Sequence, residues 1–198
     1  MKRSLKDRFE ESYKPMEVPG KNGKTAIKYV YCAPLYFWEV PKTELFLKKW
    51  KILGSSIFSL ILFVLSAMGN TAANSAWYVF TPAALAVCCH ILELAGVLQF
   101  AFSGTPTTKM TYDEVVRIME FAPVGRMLTS GAAAAMVVLF QIMNRFSGTA
   151  MLCVGGYFGC AVLAWLEVHW FSQIPVRIEK NPMAARLAAQ IGDIQNVE

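Results

Sequence analysis

Four long apolar segments constrain the fold of this chain more than any other feature. They cover about residues 52–69, 77–102, 125–144 and 149–173. An apolar helix of about 20 residues, rising about 1.5 Å per residue, crosses the roughly 30 Å apolar core of a bilayer. The strict alternation of a membrane β-barrel is absent, and a helix satisfies its own backbone hydrogen bonds in lipid. The sequence therefore predicts an all-α integral membrane protein built as a bundle of four transmembrane helices.

The charged residues are few and unevenly placed, which predicts the orientation of the bundle. Of the 198 residues, 55% are hydrophobic and 17% are charged, against about 25% charged in a typical soluble domain. Most of the 19 Lys and Arg precede residue 52, and others fall in the 103–126 loop and the C-terminal tail. Basic loops stay in the cytoplasm, so we expect a plasma (cytoplasmic) membrane protein with cytoplasmic N- and C-termini. Topology and anionic lipid account for the positive charge, and no nucleic acid partner is expected.

The same pattern divides the chain into three parts. We expect a cytoplasmic N-terminal arm over residues 1–50, a four-helix membrane domain over 51–174, and a cytoplasmic tail over 175–198. Residues 1–27 are expected to form a flexible arm with at most short structure. The aromatic juxtamembrane segment around residues 26–38 is typical either of a short pair of strands or of a membrane-interface segment, because Tyr and Trp favour the headgroup level.

Two short helices are predicted outside the spans. The sequence Thr-Tyr-Asp-Glu at 111–114 fits the S/T-x-x-E capping box, and apolar residues follow it at helical spacing. This pattern predicts an amphipathic cytoplasmic helix over about 111–122 that ends before Pro123. In the tail, Asn181-Pro182 suits the N-cap and first position of a helix that runs to about residue 191.

Polar residues in the two halves of the membrane domain match at one fixed offset. Glu93 and Glu167 lie 74 residues apart, as do Gln99 and Gln173. Other pairs at this offset are Ser56 with Ser130 and Asn70 with Asn144. Charged and amide residues are rare in spans, so the matches favour two duplicated helical hairpins, related by an axis along the membrane normal.

The carboxylates inside the spans are the strongest candidates for function. Charged groups in lipid are costly, so they point into the bundle or a wet cavity and pair with other groups. The candidate binding or transport residues are Glu93, His90, Glu167, Gln99 and Gln173. A buried carboxyl that gains access to water can exchange a proton or hold a cation. A structural role is the alternative: Glu93 would pair with His90 or with hydroxyls and fix the helix register, and Glu167 would reach the headgroups.

Cofactor and metal chemistry have weak support in the sequence. A haem site would use His90 and His169 as axial ligands, but the repeat alignment places them five residues apart in depth, about 7.5 Å along a helix. No other ligand spacing points to a metal, and we expect neither a cofactor nor a metal. A nucleophile–base pair, a P-loop and a dinucleotide fingerprint are also absent, so the sequence does not favour an enzyme.

Three functional hypotheses follow from these residues. The first is a small transport or channel-type protein, homo-oligomeric in the bilayer, with Glu93 and Glu167 in the pathway. The second is a non-catalytic subunit or scaffold of a membrane protein complex, with the aromatic segment and the middle helix as docking surfaces. The third is a membrane-embedded redox enzyme that uses cysteine or haem. Carboxylates that face each other inside the bundle would favour the first hypothesis.

Overall fold

The computed structural model of the chain describes residues 5–19, 25–69, 71–144 and 147–184. Most of these residues are helical. The described elements, in chain order, are α1 (Leu5–Ser12), β1 (Tyr13–Pro19), β2 (Thr25–Tyr31), β3 (Leu35–Trp38), α2 (Lys42–Met68), α3 (Ala72–Ser75), α4 (Trp77–Phe102), β4 (Thr107–Thr108), α5 (Lys109–Met143), α6 (Gly148–Ser172) and β5 (Val176–Glu179). They fall into two compact units, which are described separately below.

The helical unit covers Val40–Ser103 and Glu114–Pro175. Its four long helices, α2, α4, α5 and α6, are each long and apolar enough to cross a membrane, as the apolar segments predicted. The second predicted span coincides with α4. The first helix, α2, begins at Lys42, before the apolar segment predicted to start at about residue 52.

Each of these helices buries one narrow face and exposes large apolar side chains on the other. On the outer surfaces of α2, α4, α5 and α6, respectively, Leu65, Ile91, Leu128 and Leu152 are 64–76% exposed. The inner face carries small and aromatic residues. The core cluster contains Phe63, Val79, Ala83, Ala86, Ala133, Ala134, Val137, Ala150, Cys153, Tyr157 and Cys160. Small residues let helices approach closely, which explains why alanine dominates this core.

The predicted middle helix does not end before Pro123, and that prediction was wrong. Helix α5 runs from Lys109 to Met143 with Pro123 inside it. A proline removes one backbone hydrogen bond and disfavours helix in the preceding residue. The buried residues nevertheless continue in phase on both sides of the proline, at Val115, Met119, Ala122, Arg126 and Ser130. Packing of this uninterrupted stripe therefore stabilises the helix across a residue that would break an isolated one.

Helices α4 and α5 pack closely at a glycine. A Cβ added at Gly96 would collide with the side chain of Ile118, lying 2.9 Å from its Cβ atom. We expect Gly96→Ala to lower the free energy of unfolding by about 1–3 kcal/mol, because a buried contact becomes overpacked. Thermal or denaturant unfolding in detergent micelles measures this. The control is Gly131→Ala on α5, where nothing lies within 4 Å of the added atom; an equal loss in both variants would contradict the account.

The second unit contains strands, so the prediction of an all-α protein was wrong in this part of the chain. Strands β1 and β2 form an antiparallel pair in which Tyr13 lies opposite Tyr31. Strand β3 lies between β4 and β5 in a second sheet, with Leu35 opposite both Thr108 and Glu179. The aromatic and β-branched residues of 25–38 favour strands, as one of the two interpretations of this segment held. Its two strands, however, pair with other segments and not with each other.

The arm and the tail contain short elements of regular structure. In the arm, where at most short structure was predicted, residues 5–19 form α1 and β1. The Asn181 side chain donates to the backbone oxygen of Tyr31 at 2.8 Å, and its oxygen accepts a hydrogen bond from the Met183 N–H at 3.0 Å. Asn181 thus caps a helical turn as predicted, although the continuation to residue 191 lies outside the described residues. Tyr36 stacks on Tyr112 with ring centroids 4.3 Å apart.

Candidate functional site

A buried arginine joins the two carboxylates of the long apolar helices. One terminal nitrogen of Arg126, Nη1, lies 3.0 Å from Oε1 of Glu93, and the other, Nη2, lies 3.1 Å from Oε1 of Glu167. All three side chains are 0% exposed. We call this cluster the Glu93–Arg126–Glu167 triad. The planar guanidinium suits this role, because it presents several donors in a fixed fork.

Three helices supply the triad, one residue each. Glu93 comes from α4, Arg126 from α5 and Glu167 from α6, and each lies on the buried face of its helix. On α5 the stripe that carries Val115 and Met119 leads directly to Arg126. A charged residue in an apolar helix is driven inward, since lipid cannot solvate it. The same rule acting on three helices brings one cation and two anions to one place.

The charges of the triad do not balance when every group is ionised. Two carboxylates and one guanidinium carry a net charge of −1, and one proton on either carboxyl makes the cluster neutral. A buried charge without a partner is expensive, whereas a buried ion pair is tolerated if its geometry and hydrogen bonds are good. The triad is therefore a place where a single proton changes the net charge inside the bundle.

Several polar atoms around the triad lack hydrogen-bond partners among the described residues. Besides the two Oε1 atoms that pair with Arg126, they include Oε2 of Glu93, Oε2 of Glu167, Arg126 Nε and the Ser130 hydroxyl on the same buried face of α5. Buried polar groups are normally satisfied. The site therefore has spare hydrogen-bonding capacity for water or for a small polar species.

His90 lies one turn before Glu93 on α4 but does not pair with it. Its Nδ1 lies 3.1 Å from the Ala86 oxygen, and its Nε2 lies 3.3 Å from the Ser59 hydroxyl. A carbonyl can only accept, so Nδ1 carries a proton and donates to Ala86, whereas the Ser59 hydroxyl can either donate to Nε2 or accept from it. His90 thus belongs to the surroundings of the triad, and the His90–Glu93 pair of the structural alternative is not observed.

Neither Gln99 nor Gln173 forms a hydrogen bond with Glu93 or Glu167. Gln99 is half-buried and donates to the Glu114 carboxylate at 3.1 Å. Gln173 is exposed, and its amide nitrogen lies 2.9 Å from Nε2 of His169. Glu167, in contrast, is fully buried and does not reach outward as the structural alternative held. Of the five sequence candidates, the structure brings Glu93 and Glu167 together and places His90 beside them.

Arg126 is the residue that sequence reasoning missed. It stands at the edge of the 103–126 loop, so it counted as a marker of the cytoplasmic side. Two signals could have found it. Two buried carboxylates need a cation, and Arg126 lies four residues before Ser130 and seven after Met119, on the apolar stripe of its own helix.

Neither histidine is arranged as a haem ligand within the described part of the chain. His90 uses both ring nitrogens in hydrogen bonds, and His169 is exposed and stacks on Trp165 with centroids 5.7 Å apart. Among the described residues, three or more His, Cys, Asp or Glu do not gather where they could hold a metal ion. No protein-family model matches the sequence, and no curated protein and no solved structure matches it either.

Proposed function

We propose that the protein is an integral membrane transport protein in which the Glu93–Arg126–Glu167 triad binds and releases one proton. The observation that carries the proposal is the single guanidinium within 3.0 and 3.1 Å of two carboxylates that have no exposure. Two carboxylates that meet inside the bundle favour transport over scaffolding among the three hypotheses.

The proposal includes a location in the plasma (cytoplasmic) membrane, with both termini in the cytoplasm. Large apolar side chains on the outer faces of all four long helices support this placement, because a soluble bundle would expose polar residues there. The basic residues of the N-terminal arm, the middle loop and the tail support the orientation.

The transport step follows from the charge of the triad. With one proton bound, the cluster is neutral and stable in the closed bundle. A change of conformation that admits water from one side lets the proton leave, and the charge of −1 is then stabilised by water. Reprotonation from the other side restores the closed state. Net movement of protons, or their exchange for another solute, requires only that both sides reach the site in turn.

Duplication of the helical hairpins is part of this proposal. The two carboxylates occupy equivalent positions in the two halves and meet on one guanidinium. Ser56 and Ser130, also equivalent, are both buried. The position equivalent to Arg126 in the first half is the fully buried Ile52. In this view the two halves supply matched carboxylates, and the cation comes from one half alone.

Proton flux into proteoliposomes tests the proposal. We expect wild-type protein to pass protons down an imposed pH gradient, and Glu93→Gln and Glu167→Gln each to lose about 10-fold or more of this flux, since each removes the exchangeable proton while leaving one ion pair. The matched control is Glu120→Gln, the same change at an exposed position of α5. Wild-type flux no greater than that of empty vesicles, with all variants folded, would overturn the transport proposal.

The second candidate is a subunit or scaffold of a membrane complex. It is favoured by apolar exposure in the strand-containing unit, where Ile27 and Tyr29 are 69% and 59% exposed. Phe9 packs against Tyr29 with ring centroids 5.6 Å apart and is itself 43% exposed. Crosslinking in native membranes with wild type and Ile27→Ser tests this role. A scaffold would lose a specific crosslinked species in the variant, and it would show no proton flux.

A further inference from the structure

We propose that a cavity in the outer part of the helical unit binds an alkyl chain that carries a neutral hydroxyl headgroup, taken from the bilayer. This proposal goes beyond the proton site and shares with it only the placement in a membrane. The cavity has a volume of about 350 Å³, within the roughly 300–1,000 Å³ of typical ligand sites. Four helices of one unit, α2, α3, α4 and α6, contribute its lining.

The walls of the cavity are suited to a hydrocarbon chain. Phe63 from α2 and Val79 and Ala83 from α4 form an apolar inner wall and are buried. Among the described lining residues, none carries a charge. A charged headgroup would therefore lose its hydration without gaining a partner, whereas an apolar chain gains from leaving water.

The outer wall places the entrance on the lipid side. Phe80 and Val87 line the cavity and are also 64% and 39% exposed on the surface of α4. They lie on the same outward face as Ile91, which is 65% exposed. An opening between side chains that face lipid admits molecules dissolved in the bilayer. This continuity identifies the occupant as a membrane amphiphile and not as a solute from water.

One end of the cavity carries the polar groups. The Asn74 amide nitrogen donates to the backbone oxygens of Ser66 and Gly69 at 2.9 and 2.8 Å, so it is committed to the end of α2. Its oxygen accepts a hydrogen bond from the Tyr157 hydroxyl at 3.4 Å. The Tyr157 oxygen keeps lone pairs that can accept a further bond. A ligand hydroxyl is the donor that this end lacks.

Photo-crosslinking with a diazirine-bearing hexadecanol tests the proposal in protein reconstituted in lipid nanodiscs. We expect crosslinks that saturate, that map to residues 63–67 of α2 and 79–87 of α4, and that unlabelled hexadecanol displaces. Ala84→Trp should reduce labelling by about 10-fold or more, because the indole fills the cavity. Tyr157→Phe should weaken binding by about 3- to 10-fold, the effect of one neutral hydrogen bond.

The matched control is Leu85→Trp, which places the same side chain next to Ala84 but on the 54% exposed outer face. It should label as wild type does. If Ala84→Trp does not fold, Val87→Trp at the cavity rim takes its place. Labelling spread over all the outward faces, without saturation and unchanged by the cavity variants, would overturn the proposal. Labelling of Tyr157→Phe as strong as that of wild type would also overturn the proposal, because the assigned hydrogen bond to the headgroup would then contribute nothing.

Discussion

Arg126→Met is expected to lower the free energy of unfolding by about 3–5 kcal/mol, the typical cost of removing one partner from a buried ion pair. Methionine fills similar space and is compatible with an apolar helix. The lost stability therefore reports the missing charge and not a cavity. Without the guanidinium, Glu93 and Glu167 face each other in a site with 0% exposure and no cation. Equilibrium unfolding in mixed detergent micelles measures the change.

Two variants make this expectation specific. Arg126→Lys should recover part of the loss, because it restores the charge but cannot offer the forked donors that reach both carboxylates at once. Arg117→Met makes the same change at an exposed position of the same helix and should alter stability by no more than about 0.5 kcal/mol. If Arg126→Met and Arg117→Met prove equally stable, the triad does not hold the bundle together.

The stability of the fold is expected to tolerate the loss of either carboxylate but not the loss of both. Glu93→Gln or Glu167→Gln leaves Arg126 with one carboxylate, a neutral pair, and should cost about 1 kcal/mol. The double variant leaves the guanidinium buried without an anion and should cost about 3–5 kcal/mol. The excess over the sum of the single effects is the coupling energy that a double-mutant cycle measures.

The control for this cycle pairs Glu93→Gln with Glu120→Gln. Glu120 is exposed, so these two changes should add, as independent sites do. Additive effects for Glu93 and Glu167 as well would mean that the carboxylates do not share one cation in the folded protein, and the charge balance argued above would not hold.

The helices and carboxylates could be predicted because each depends on local sequence. Apolar length alone predicted α4 to its terminal residues, and Glu93 and Glu167 stood out because charge is rare in such segments. Arg126 could not be identified in the same way. It lies where a loop and a span meet, and only the packing of α5 shows that its side chain turns inward with Ala122 and Ser130.

The pairing of the strands and the continuation of α5 through Pro123 were harder to predict, for a related reason. Strand β3 pairs with β4 and β5, which are distant in sequence, and a short aromatic segment does not specify such partners. Pro123 is a reliable signal of a helix end only when local preference decides. In α5 the buried stripe from Val115 to Ser130 contributes more than the lost hydrogen bond costs, and tertiary packing overrides the local signal.

Infrared spectroscopy of the carboxylic C=O stretch tests most directly whether Glu93 and Glu167 share one proton beside Arg126. At neutral pH the wild-type protein should show the band of one protonated carboxyl in an apolar setting, with the expected shift in D₂O. Glu93→Gln and Glu167→Gln should each abolish it, because Arg126 then pairs with a single ionised carboxylate. A wild-type spectrum without this band, or a band that persists unchanged in both variants, would contradict the account.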